Sequence, residues 1–136
     1  MTLPISVSNL RFGVRQVPMR LPFRFGAVTL TAAAQIHLFA DVETRNGHRA
    51  QGVAADMLAP KWFDKDPSKT YADNMNDLID SAKAACSAVE AVHEPASAFD
   101  LWKLGYDAAL AWGESRGLNE LTSAYGSTLL ERAIID

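Results

Sequence analysis

The chain has 136 residues, 13 basic and 16 acidic, with a formal net charge of −3 and a single cysteine. That suffices for one domain around one core but not for a (β/α)8 barrel, which alone takes roughly 200 residues or more, and the scattered charges exclude a phosphate-backbone binder or a polybasic membrane patch. Cys86 alone cannot form an internal disulfide or a multi-cysteine zinc site, and together with the lack of an apolar leader or membrane span it suits a reducing cytoplasm.

The first predicted element is a strand. Ile5, Val7, Leu10, Phe12, Val14 and Val17 alternate with polar residues over 5–17, and a phase slip at Asn9-Leu10 calls for a β-bulge. Pro22 and Gly26 then punctuate residues 20–26 as a loop, because proline fixes φ and lacks a donor while glycine takes conformations other residues avoid. A second strand spans 28–42. Arg45-Asn46-Gly47-His48 turns it back, Asn-Gly being suited to the two positive φ angles of a type I′ turn. A third strand over 48–55 completes an antiparallel meander.

Residues 59–68 contain Pro60 and Pro67 and no usable period, which reads as a long loop. Thr70 and Asp73 then stand at capping-box spacing, followed by a stripe of Tyr71, Met75, Leu78, Ile79, Ala82, Cys86, Val89 and Val92. On that stripe Cys86 reads as a small buried hydrophobe. After Pro95, Ser97 and Asp100 repeat the cap spacing, and Phe99, Trp102, Tyr106, Ala109 and Leu110 form a second apolar stripe ending near Gly113 or Gly117. A short turn at 118–121 and a last amphipathic segment with Leu129, Leu130, Ala133 and Ile134 bring the helices to three or four. The whole reads as one α+β domain over 1–136: a three-stranded antiparallel meander over about 4–56, a loop over about 57–68 and a helix bundle over about 69–136.

Independent chemistry is sparse. His37, His48 and His93 lack the i, i+4 spacing of a helical metal site, and His93 reads as a helix C-terminal residue favoured by the dipole. Asp64, Asp66, Asp73, Asp77 and Asp80 read as helix-start charge and solvated surface. No nucleophile motif or phosphate-cradling glycine loop is present, so no catalytic or metal-ligating residue is nominated.

The order of strand, 20–26 segment, strand, Asn46-Gly47 hairpin, Gly52-Val-Ala-Ala-Asp56 and helices, closing on Ser127-Thr-Leu-Leu-Glu-Arg-Ala-Ile-Ile-Asp136, resembles the N-terminal capping domain of the enolase superfamily, in the branch of mandelate racemase and muconate lactonizing enzyme. One departure is the strand end at Gly52 to Asp56, where the family often has a Gly-x-Gly-Glu type sequence. The resemblance implies a cap that selects substrate and excludes water. A barrel, expected to be missing from the chain, would bind Mg2+ and remove the proton next to a carboxylate. The chain itself is then expected to hold no cofactor and to be inactive alone.

In that family two cap loops close over the barrel mouth, and by position they correspond to residues 20–26 and 56–65. The resemblance therefore implies substrate contacts from Arg20, Phe23, Arg24, Phe25, Asp56, Lys61 and Trp62. Phe23 and Phe25 would wall an apolar pocket, and Arg24 or Lys61 would pair with a small carboxylate substrate. Plainer readings stay open: the phenylalanines pack inside, the basic groups are solvated, and Trp62 with Phe63 anchors the loop or lines a lid or interface. The expected partner is the missing barrel or, alternatively, a second copy that covers exposed apolar surface in a homodimer. Nucleic acid and membrane are not expected. A third reading makes Arg24, Asp56 and Lys61 the polar cluster of a small enzyme.

Overall fold

The apolar alternation of the middle strand organises the molecule. In the computed structural model, which describes residues 3–136, β1 (Ile5–Phe25), β2 (Val28–Thr44) and β3 (Arg49–Leu58) form one antiparallel sheet in the order β1-β2-β3. Ile36, Leu38 and Ala40 of β2 are fully buried on one face, against the helices. The residues that alternate with them, Gln35, His37 and Phe39, lie on the opposite face, where no described element packs. Burying a leucine or isoleucine contributes about 1.5–3 kcal/mol, so this face anchors the fold.

The phase slip at Asn9-Leu10 is a bulge: Ser8 pairs with Asp41 and Arg11 with Phe39, so Asn9 and Leu10 stand opposite Ala40 alone. Asn9 takes a φ of 53°, its amide donates to Asp41, and the Leu10 N–H donates to Glu90 Oε1 at 3.0 Å.

The predicted loop at 20–26 is corrected. β1 continues to Phe25, with Phe23, Arg24 and Phe25 paired to Leu30, Thr29 and Val28, and only Gly26-Ala27 turns the chain. Pro18 and Pro22 of β1 fit because it is an edge strand whose outer side makes no ladder there, and because residues 19–22 bulge out opposite Thr31. The second hairpin also differs from expectation. Only Gly47 has positive φ, 81°, and Asn46 does not, so the turn is not type I′. Gly47 N donates to Thr44 O and Thr44 N to His48 O, a three-residue loop closed by the left-handed glycine. β2 and β3 run on to Thr44 and Leu58, beyond their predicted ends.

A 3-10 turn, Pro60–Trp62, interrupts the predicted loop, and α1 (Tyr71–Glu90), α2 (Ala98–Ser115) and α3 (Glu120–Ile135) follow. The Thr70–Asp73 capping box forms as spaced, and Ser97 and Asn119 cap the other two helices from their side chains. Among the described residues the helices number three: Glu120 and Leu121 of the turn expected at 118–121 open α3, which runs on without a break through the last segment. His93 lies beyond the end of α1 rather than in its last turn.

α2 shows the clearest departure from the sequence pattern. Its buried face is Leu101, Gly105, Ala109 and Gly113, so of the predicted stripe Ala109 is in the core, whereas Phe99 is exposed and Trp102 and Tyr106 are half-buried, successive rings lying 5.4 Å apart. Small residues won the inner face because the three helices cross at backbone contact. Ser81 Oγ donates to Ser123 O at 2.6 Å and accepts from Gly126 N at 2.9 Å, locking α1 to α3. Cys86 is buried in the core, and desolvation pushes its thiol up to about 12, which makes it an inert hydrophobe.

α3 also closes the free edge of β3. Asp136 accepts from Val53 N, Arg132 donates to Ala55 O, and Arg132 pairs with Asp56 at 2.7 Å. Side chains thus satisfy an edge that would otherwise invite a further strand.

Candidate functional site

The tip of the β1–β2 hairpin and the segment after β3 meet at one end of the sheet. The Phe25 and Trp62 rings stack with centroids 4.8 Å apart and planes 12° from parallel, and Phe23 lies 5.8 Å from Phe25. Phe25 and Trp62, with Gly26, Ala27, Val28, Lys61 and Lys65, line an open cleft of about 540 Å3, and Phe23 stands behind Phe25 outside that lining. Trp62 is 53% exposed, so its indole wall is available to a ligand. Phe63 turns the other way, packing edge-on against Tyr125 at 5.2 Å, so one aromatic of the pair anchors the segment and the other presents itself.

The anchoring extends to a polar knot. Lys61 Nζ donates to Asp66 O, Lys69 O and Asn74 Oδ1, the last at 2.6 Å. Asn74, 1% exposed, in turn donates to Asp64, and Lys69 bridges Asp64 and Asp77 at 3.0 and 2.9 Å. Three acceptors leave the Lys61 ammonium turned inward, and the cation at the cleft rim is the exposed Lys65.

Three carboxyls of this segment sit below their ordinary value of 3.8. The Asp66 N–H, then Lys69, lowers Asp64; the Ser68 hydroxyl and N–H lower Asp66; and the Thr70 hydroxyl and N–H lower Asp73. Desolvation opposes the shift of Lys69, but Asp77 and Asp64 hold it above its ordinary 10.5. The signs set a window. The acids stabilise fully above 3.8 and lose that as pH falls through their lowered folded values; Lys69 stabilises below 10.5 and loses that above its raised value. Amide spectra of residues 61–74 are therefore expected to stay unchanged between about pH 5 and 10 and to broaden first on acidification below about 4. Broadening that began near pH 6 would contradict this assignment.

The sequence-nominated residues divide into separate places. Phe23, Phe25, Lys61 and Trp62 come together as described. Arg24, paired with Thr29, falls on the opposite face of the hairpin and donates to Gly26 O. Arg20 lines a different groove with Val17, Met19, Ala33, Gln35 and Met57. Asp56 is tied to Arg132 and lines a neighbouring recess with Met57, Ala59, Phe63 and Leu121 on the far side of Trp62. Arg24, Asp56 and Lys61 therefore do not make one cluster. Lys65 was missed as a site residue; its only signal was a position inside the 56–65 segment.

Among the described residues no three or more His, Cys, Asp and Glu side chains gather as a metal site, and no helix is long and apolar enough to cross a membrane. The resemblance places Mg2+ in a barrel and not in these residues, which offer no donor set for it.

No protein-family model and no curated protein matches the sequence. Three solved structures are similar in fold. A mandelate racemase/muconate lactonizing protein from Herpetosiphon aurantiacus is 14% identical with a TM-score of 0.47, over 95% of this chain and 30% of that one. L-Talarate dehydratase from Polaromonas sp. JS666, solved with Mg and L-glucarate, is 19% identical with a TM-score of 0.45, over 93% and 30%. A mandelate racemase/muconate lactonizing enzyme from the same strain is 20% identical with a TM-score of 0.45, over 96% and 29%. This chain spans about 30% of the length of those structures.

Proposed function

We propose that the chain is the capping domain of an enolase-superfamily, Mg2+-dependent enzyme that removes a proton next to a substrate carboxylate. The observation that carries this reading is the Phe25–Trp62 stack, which joins the two segments that the sequence resemblance assigns to substrate contact. In this reading Phe23, Phe25 and Trp62 form an apolar wall that excludes water and orients the substrate chain, and Lys65 offers a charge-assisted contact to an anionic end. Metal ligands and proton-transferring groups belong to the barrel, and the cap supplies selectivity.

The test pairs the chain with an enolase-superfamily barrel expressed without its own cap. Association and restored Mg2+-dependent α-proton exchange across a panel of carboxylic acids are expected. Trp62→Ala should shift the acid preference while leaving association intact. Equal exchange with and without this chain would overturn the proposal.

A second reading, a self-associating domain, is favoured by the α2 ridge, where Phe99 is 65% exposed beside Trp102 and Tyr106. Light scattering separates the two: a dimer that Phe99→Ser dissolves supports this reading, and a monomer at high concentration removes it.

A further inference from the structure

The sheet face without helices is a surface of unusual charge. β1 carries Arg11, Arg15, Arg20 and Arg24 and no acidic residue, although the chain as a whole is net negative. Register places Arg11, Arg15 and Arg24 on this face, opposite Phe39, Gln35 and Thr29, and Arg20 lines the groove beside Ala33, Gln35 and Met57 on the same side. Among the described residues only Arg11 of these four has an acidic neighbour, Asp41 at 3.8 Å, and that carboxylate already accepts from Asn9 and Gln51. Arg15 donates to Gln35 and Arg24 to Gly26 O, neutral acceptors that leave both charges uncompensated.

The same strand offers its backbone. The β3 edge is closed by Asp136 and Arg132, and the start of β1 is closed by mutual hydrogen bonds between Ile5 and Ala96 and by Glu90 on Leu10 N. From Arg11 to Pro18, β1 pairs with β2 on one side and with no described element on the other. Its helix-side face there exposes Val14, 50% accessible. A strand added at this edge would thus see arginines on one face and an apolar residue on the other, alternating with the two-residue period of a pleat.

We propose that this edge binds an extended segment of a partner protein in which acidic and apolar residues alternate, the acids facing Arg11 and Arg15. The partner adds a fourth strand, with backbone hydrogen bonds giving affinity and the carboxylates giving direction and selectivity. This proposal does not depend on the cap reading, since it concerns the face opposite the Phe25–Trp62 stack.

The probe is a fluorescent octapeptide of alternating Glu and Val, titrated into the 136-residue chain. Binding should protect amides of residues 11–18 from hydrogen exchange, weaken with salt, and fall at least tenfold with Arg15→Glu at unchanged circular dichroism. N-methylation of alternate peptide nitrogens, which leaves the protein untouched, should abolish binding by blocking the ladder. Equal binding of the Lys/Val peptide or of a Glu4Val4 block, tighter binding of a single-stranded oligonucleotide, or binding without protection in β1 would each overturn the proposal.

Discussion

Gly126→Val is expected to abolish the folded state at ordinary temperature or to lower its melting temperature by more than about 10 °C. A Cβ at this position would run into backbone atoms of Ser81 and Ala82, and main chain cannot swing aside as the end of a long side chain can. The crossing is also where Ser81 bonds both Ser123 O and Gly126 N, so separating the helices breaks those bonds together with the packing. Overpacking alone costs about 1–3 kcal/mol; the added loss of buried hydrogen bonds takes the total above about 4 kcal/mol, a large part of the roughly 5–15 kcal/mol available to a domain. Thermal and urea melts measure this. Gly13→Ala is the control: its Cβ would meet only Phe39 at 4.0 Å, and it should melt within a degree or two of the parent. If the two variants melt alike, α1 and α3 do not meet as closely as described.

The second large effect is local. Lys61→Met should release residues 61–70 while the sheet and helices stay folded. Removing the ammonium strands Asp66 O, Lys69 O and Asn74 Oδ1, and an unmade bond to a charged group is worth about 1.5–3 kcal/mol. The Trp62 indole, next in sequence, would then leave Phe25, seen as a shift of its NMR resonance and faster amide exchange over the segment. Lys65→Met, at an exposed position, should leave both signals in place. Should Lys65→Met loosen the segment and Lys61→Met not, the roles assigned to these two lysines are reversed.

Much of the architecture was legible in the sequence because it follows from local chemistry. The Asn9-Leu10 slip and the Thr70–Asp73 cap each act over a few residues and came out as read, and the second strand formed where expected although its buried alternation at Ile36 and Leu38 was not read. What was not legible depended on pairing with distant segments. Residues 20–26 look like a loop because Pro22 and Gly26 punctuate them; that Phe23 to Phe25 pair with Val28 to Leu30 becomes visible only when the bulge at 19–22 resets the register. The α2 stripe misled for a related reason. Helical spacing shows that Phe99, Trp102 and Tyr106 share a side, but not that the close crossing of Gly105 and Gly113 with the other helices takes the core and leaves Phe99 exposed and the other two half-buried. At the site, residue type suggested Lys61 as the ligand cation, yet sequence spacing could not reveal the three oxygens that take it up.

The bulge at 19–22 has a consequence for how such a molecule can diversify. Below Pro18 the ladder is fixed by the core, whereas the ribbon beyond it already carries more residues on one strand than on the other. Insertions or deletions there would lengthen or shorten the Phe23–Phe25 tip without shifting a single partner of Ile36 or Leu38. Natural variants could therefore reshape the aromatic wall while inheriting the same framework, so homologues should differ in length at this one place more than anywhere else along the meander.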